Sequence, residues 1–103
     1  MKQNKQQKLE QNGWRIGTAS EFLGLSDEES AYIEMKLSLS DILRNEREKQ
    51  KLSQSQLANL ISSSQSRVAK MESADSSVSI DLLVKSLLAL GVARKKVAQA
   101  LAA

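Results

Sequence analysis

Cysteine, histidine and proline are absent from this 103-residue chain, and Trp, Tyr and Phe occur once each. Without cysteine there is no disulfide framework and no thiolate nucleophile. Without cysteine and histidine together there is no zinc site of the Cys/His kind. General acid–base chemistry would have to come from carboxylates or lysines. An excess of either charge is also missing: 15 Lys and Arg stand against 12 Asp and Glu, a net charge of +3. The pI near 9.3 fits an anionic partner without requiring one. No apolar run approaches the ~20 residues of a membrane span, and the polar opening segment does not resemble a signal peptide. These absences lead to the expectation of a cytoplasmic, non-membrane protein that carries neither cofactor nor metal.

What is present favours helix. Leu, Ala, Ser, Lys, Gln and Glu dominate, and β-branched and aromatic residues are few. Residues 1–13, rich in Gln, Asn and Lys, read as a flexible arm, better explained as a solvated tail than as a groove-reading segment. Residues 14–37 read as an N-terminal helical extension. Thr18 with Glu21 makes a capping box for a short helix carrying Phe22 and Leu23, stopped by Gly24. Ser26 with Glu29 makes a second, opening a helix with Tyr32, Ile33 and Leu37 on one face and Asp27, Glu28 and Glu29 in its first turn. Ser38 and Ser40 are expected to break that helix, with a new one over about 39–51.

Residues 38–103 read as a separate helical domain. Ser53 caps a helix over 54–61 with Gln56 as its capping-box partner, Ser64 caps 65–72, and Ser79 caps 80–90, which Gly91 stops. A last helix spans about 93–102, with Arg94, Lys95 and Lys96 opposing its dipole. The whole is expected to be all-α, a compact bundle of about five or six helices. Its expected core is Leu43, Leu52, Leu57, Ala58, Ile61, Val68, Met71, Leu83, Leu87 and Leu90.

The segment Leu52 to Glu72, LSQSQLANLISSSQSRVAKME, carries the functional signal. Two short helical patterns are separated by a serine-rich break. Leu57, Ala58 and Ile61 line the first; Val68 and Met71 point inward from the second. Gln65, Ser66, Arg67 and Lys70 are left outward. A small residue such as Ala58 suits a close approach of two helices joined by a short turn. Amide, hydroxyl and cationic side chains on an exposed helix suit base edges and phosphates in a DNA major groove. Each is also an ordinary surface residue. The weight lies in a cap, an alanine, a turn, a second cap and a polar outer face within one short window.

This window, with SVSIDLLVKSLLALGV after it, resembles the helix-turn-helix of the phage-repressor-like XRE family of transcription factors over Leu43 to Val92. The preceding WRIGTASEFLGLSDEE resembles the N-terminal extension of a subgroup that includes HigA-type antitoxins. The resemblance implies a lambda-repressor-like fold. It implies that Gln54 bonds a DNA phosphate, that Gln65, Ser66 and Lys70 face bases, and that Ser64 and Arg67 lie near the backbone and groove rim. It also implies a salt bridge between Arg47 and Glu72. Two departures stand out: Lys51 and Ser62 occupy sites where the family usually has glycine, and Ser63 stands where an apolar residue is common.

The functional expectation is a sequence-specific DNA-binding regulator, a repressor, reading a palindromic double-stranded operator as a homodimer. The C-terminal stripe Leu88, Val97 and Leu101 is the expected source of dimer contacts. By the same resemblance it is the antitoxin of a toxin–antitoxin pair, with the acidic stretch Asp27 to Glu34 meeting a basic RelE/HigB-like toxin, although helix capping alone also accounts for those acids. The alternative is a toxin-neutralising interaction module that has lost DNA binding. An enzyme is not expected, since capping accounts for Asp27, Glu28, Glu29 and Asp41 and there is no phosphate-binding glycine loop.

Overall fold

Serine caps the start of four of the five described helices, and a left-handed residue ends four of them. A computed structural model describes residue 24 and residues 26–102, and these form five helices. They are α1 (Asp27–Lys49), α2 (Gln54–Leu60), α3 (Gln65–Glu72), α4 (Ile80–Ala89) and α5 (Arg94–Ala102). The expected arm over 1–13 and the Thr18–Glu21 helix lie outside the described residues. The chain separates into two units, Met1–Glu34 and Met35–Ala103, and α1 begins in the first and ends in the second.

The caps follow the sequence closely. Glu29 N–H donates to Ser26 Oγ at 3.2 Å while Ser26 N–H donates to the Glu29 carboxylate at 2.9 Å. The reciprocal box recurs between Ser53 and Gln56, at 3.0 and 2.7 Å. Ser64 accepts from Arg67 N–H at 3.2 Å, and Ser79 accepts from Leu82 N–H at 3.1 Å. Each bond satisfies a backbone donor that the helix cannot satisfy itself.

The helix ends share one geometry. Leu52 N–H reaches Arg47 O and Lys51 N–H reaches Glu48 O at the end of α1, at 3.0 and 2.9 Å. The same double bond closes α2 through Ser63 and Ser62, α3 through Asp75 and Ala74, and α4 through Val92 and Gly91. This is the Schellman arrangement, which puts the residue just past the cap in the left-handed region. Those residues are Lys51 (φ 61°), Ser62 (φ 56°), Ala74 (φ 55°) and Gly91 (φ 91°). Only the last is glycine, so three of the four ends carry a steric cost of roughly 1 kcal/mol each. Ser63 N–H donates to Ala58 O at 2.7 Å, so the serine-rich turn closes without glycine.

One expectation fails. Ser38 and Ser40 do not break a helix: α1 runs unbroken through both. A serine within a helix costs only a few tenths of a kcal/mol relative to good formers, and Ser40 recovers this through a tertiary contact. Its buried hydroxyl donates to Met71 O at the end of α3, at 2.7 Å. Lys36, Leu39, Ser40 and Leu43 form the buried stripe of α1 at helical spacing.

The core of the second unit contains Leu43, Leu57, Ala58, Val68, Met71, Leu83, Leu87 and Leu90, all expected, with Leu52 and Ile61 half-buried against it. Leu39, Val78, Val92, Val97 and Ala100 complete it. Val97 therefore faces inward, and Leu101 packs half-buried beside the core. Of the expected dimer stripe only Leu88 is exposed, at 44%. In the first unit Tyr32 and Ile33 are exposed, at 46% and 37%.

Candidate nucleic-acid interface

Packing of α2 against α3 sets the site. Leu57 and Ala58 from α2 meet the core with Val68 and Met71 from α3, and the small Ala58 side chain permits a close approach. With Val68 and Met71 buried, helical geometry turns Ser66, Arg67 and Lys70 outward, and all three are exposed. Gln65 opens α3 and is also exposed; Gln54 opens α2 and is half-buried.

A hydrogen-bonded network joins the starts of both helices to the end of α1. Arg47 Nε donates to Glu72 Oε2 at 2.6 Å and its Nη2 donates to Glu72 Oε1 at 3.1 Å. The third guanidinium nitrogen donates to Leu52 O at 2.7 Å. This planar fork matches the carboxylate in two places. The Arg47 side chain is 13% exposed and that of Glu72 4%. The bond to Glu72 holds the Arg47 guanidinium above its ordinary pKa, against the opposing effect of burial. Glu72 has a third partner: Gln54 Nε2 donates to its Oε1 at 3.1 Å. Gln54 Oε1 in turn accepts from Gln65 Nε2 at 2.6 Å. The chain of contacts thus runs from a buried ion pair to an exposed glutamine on α3.

The residues singled out from sequence fall into three arrangements. Gln54 and Gln65 are bonded side by side. Ser64 is the cap of α3, and its hydroxyl lies 3.4 Å from that of Ser66. Arg67 and Lys70 stand one turn apart on the exposed face and form no ion pair among the described residues. The Arg47–Glu72 pair forms as expected. The links from Glu72 to Gln54 and from Gln54 to Gln65 were not anticipated; they span 18 and 11 positions, and no local spacing signals them.

Chemically, the face offers a primary amide bonded to a neighbouring amide, a hydroxyl and two exposed cations in no ion pair among the described residues. The amide can donate and accept at one base edge, and the cations can meet phosphates or guanine. Among the described residues no cluster of acidic side chains suits a metal ion, and no helix is long and apolar enough to cross a membrane.

Comparison with curated proteins and with solved structures returned no match. Comparison with protein families returned one whose description is helix-turn-helix, matching residues 43–101. That stretch is more than half of the chain and contains α2, the turn and α3 entire. The chain therefore belongs to the XRE-type helix-turn-helix family of DNA-binding regulators.

Proposed function

We propose that this regulator is a sequence-specific repressor that binds a palindromic operator as a homodimer, with α3 entering the major groove. The observation that carries the reading is the network ending at Gln65. A base-reading amide gains specificity when it is oriented before binding, because less rotamer freedom is then lost. Gln54, buried on its Glu72 side and open toward Gln65, positions that amide and reaches the backbone. Ser66 and Lys70 read neighbouring bases; Ser64 and Arg67 lie toward the phosphates. One such helix covers only a few base pairs, which favours two-fold pairing. Exposed Leu88 is the side chain on α4 available to a second copy.

The same protein is proposed to act as an antitoxin. Glu28, Glu29, Tyr32 and Ile33 line a groove on the first unit, with exposed apolar groups beside carboxylates. A basic protein with an apolar anchor, such as a RelE/HigB-like toxin, suits that surface.

Titration against cognate and scrambled duplexes tests the DNA assignments. Gln65→Ala is expected to cost about 1–3 kcal/mol on the cognate site and to relax preference at one base pair. Gln54→Ala is expected to weaken all sequences, since phosphates carry no sequence information directly. Its additional effect on Gln65 should appear as a smaller loss of discrimination. Equal losses on both duplexes for Gln65→Ala would contradict the assignment.

A further inference from the structure

Two basic segments meet where the end of α1 joins the junction of α4 and α5. Lys49 and Lys51 flank Gln50, and the Gln50 amide donates to Leu90 O, the C-cap of α4, at 2.9 Å. Gly91 then turns the chain, and Arg94, Lys95 and Lys96 open α5. All five cations are exposed, and none forms an ion pair among the described residues. The carboxylates on the same stretch of α1 form no ion pair with these five cations. Glu46 accepts from Gln50 at 2.9 Å, and Glu48 lies 3.8 Å from Arg47.

Among the described residues no ion pair uses this concentration. Cations in the first turn of α5 oppose its dipole, and like charges held together repel. The Gln50–Leu90 bond brings the two segments together, and the Glu46 carboxylate bonded to the same amide leaves the five cations in excess. An anionic partner outside the chain would offset both effects.

Position selects the partner. Lys51 is the left-handed residue that ends α1, three positions before Gln54. The same end of α1 carries Arg47, which joins Glu72, Gln54 and Gln65. One end of one helix therefore borders both the candidate reading face and the cationic cluster. A duplex presents one phosphate per ~1.7 Å of its axis, so DNA seated on α3 continues as a polyanion beyond it.

We propose that Lys49, Lys51, Arg94, Lys95 and Lys96 form a second electrostatic contact with DNA phosphates, flanking the groove that α3 enters. This inference rests on the DNA-binding reading above. It adds affinity without sequence information, and it lengthens the stretch of duplex that one protomer covers.

The test uses the full chain and a random-sequence duplex of about three helical turns, ~10.5 base pairs each. Binding is followed by fluorescence anisotropy at several salt concentrations. Each phosphate contact contributes about 0.9 to the slope of log affinity against log salt. Arg94→Ala/Lys95→Ala/Lys96→Ala should flatten the slope by about two to three units, and Lys49→Gln/Lys51→Gln by about one to two. Alanine at the start of α5 removes the unfavourable dipole contacts, so helicity by circular dichroism should be retained. The second variant lies on a different helix and keeps the test open if the first does not fold. Wild-type slopes in the folded variants would overturn the proposal and point to an acidic protein as the partner. If wild type binds no duplex even at low salt, the DNA-binding reading fails and this inference with it. If Gln65→Ala loses preference for a cognate site while both charge variants keep the wild-type slope, only this inference falls.

Discussion

Removing Glu72 should be among the most damaging single changes available on the reading face. Its carboxylate is 4% exposed and receives both Arg47 contacts, at 2.6 and 3.1 Å, and the Gln54 amide at 3.1 Å. Glu72→Ala leaves the Arg47 guanidinium largely buried with Leu52 O and, at 3.8 Å, the exposed Glu48 carboxylate as its remaining partners, and it removes the acceptor of the Gln54 amide. Breaking a buried pair from one side costs about 3–5 kcal/mol, because the surviving charge is stranded. Arg47 keeps some access to water, one carbonyl and the Glu48 carboxylate, so the lower end, about 3 kcal/mol, is expected. For a domain of this size that corresponds to a fall in melting temperature of about 10–25 °C. Arg47→Met should cost a similar amount. The double variant Arg47→Met/Glu72→Met should cost much less than the sum, because a buried pair exchanged for apolar groups of similar volume is close to neutral. Urea denaturation followed by circular dichroism gives the four stabilities of the cycle. The double variant should still fail to orient Gln65, so stability and sequence discrimination should separate. Single losses below about 1 kcal/mol, as for an exposed pair, or strict additivity in the cycle, would refute the reasoning.

Two further outcomes follow from the helix ends and from the loop after α3. Lys51→Gly, Ser62→Gly and Ala74→Gly should each raise stability by up to about 1 kcal/mol, since each relieves a left-handed side chain, while Gly91→Ala should lower it by about 1–2 kcal/mol. A Cβ at Gly91 meets nothing within 4 Å, so that loss would be conformational strain alone; unchanged denaturation midpoints across the four variants would dismiss it. The Asp75 carboxyl is held below its ordinary pKa by the Ser77 backbone N–H, at 2.8 Å, and then by the Ser77 hydroxyl, at 2.7 Å. Because the folded value is the lower one, its contribution is fully present above the unfolded value of ~3.9 and is lost as pH falls through the folded value. A stability profile of Asp75→Asn should therefore run parallel to wild type near neutrality and converge on it in acid; parallel curves throughout would count against the turn.

What could be read along the chain was what is decided within a few residues. Ser26, Ser53, Ser64 and Ser79 announced helix starts because a cap bonds a backbone donor two or three residues away. The resemblance marked Lys51 and Ser62 as sites where glycine is usual, and both are left-handed, although Ala74, with the same geometry, went unmarked. Apolar spacing placed Leu57, Val68, Met71, Leu83 and Leu87 in the core for the same local reason. Tertiary structure decided the rest. Ser40 stays inside α1 because a carbonyl 31 positions away accepts its hydroxyl. Val97 turns into the core, away from any surface stripe, because the face that α5 buries depends on what lies beneath it. Gln54 and Gln65 were identifiable singly, but their bond to each other and to the Arg47–Glu72 pair exists only once α1, α2 and α3 converge. Local hydrogen bonds are encoded by neighbours in sequence. The orientation of a reading side chain is set by groups that only packing brings within reach.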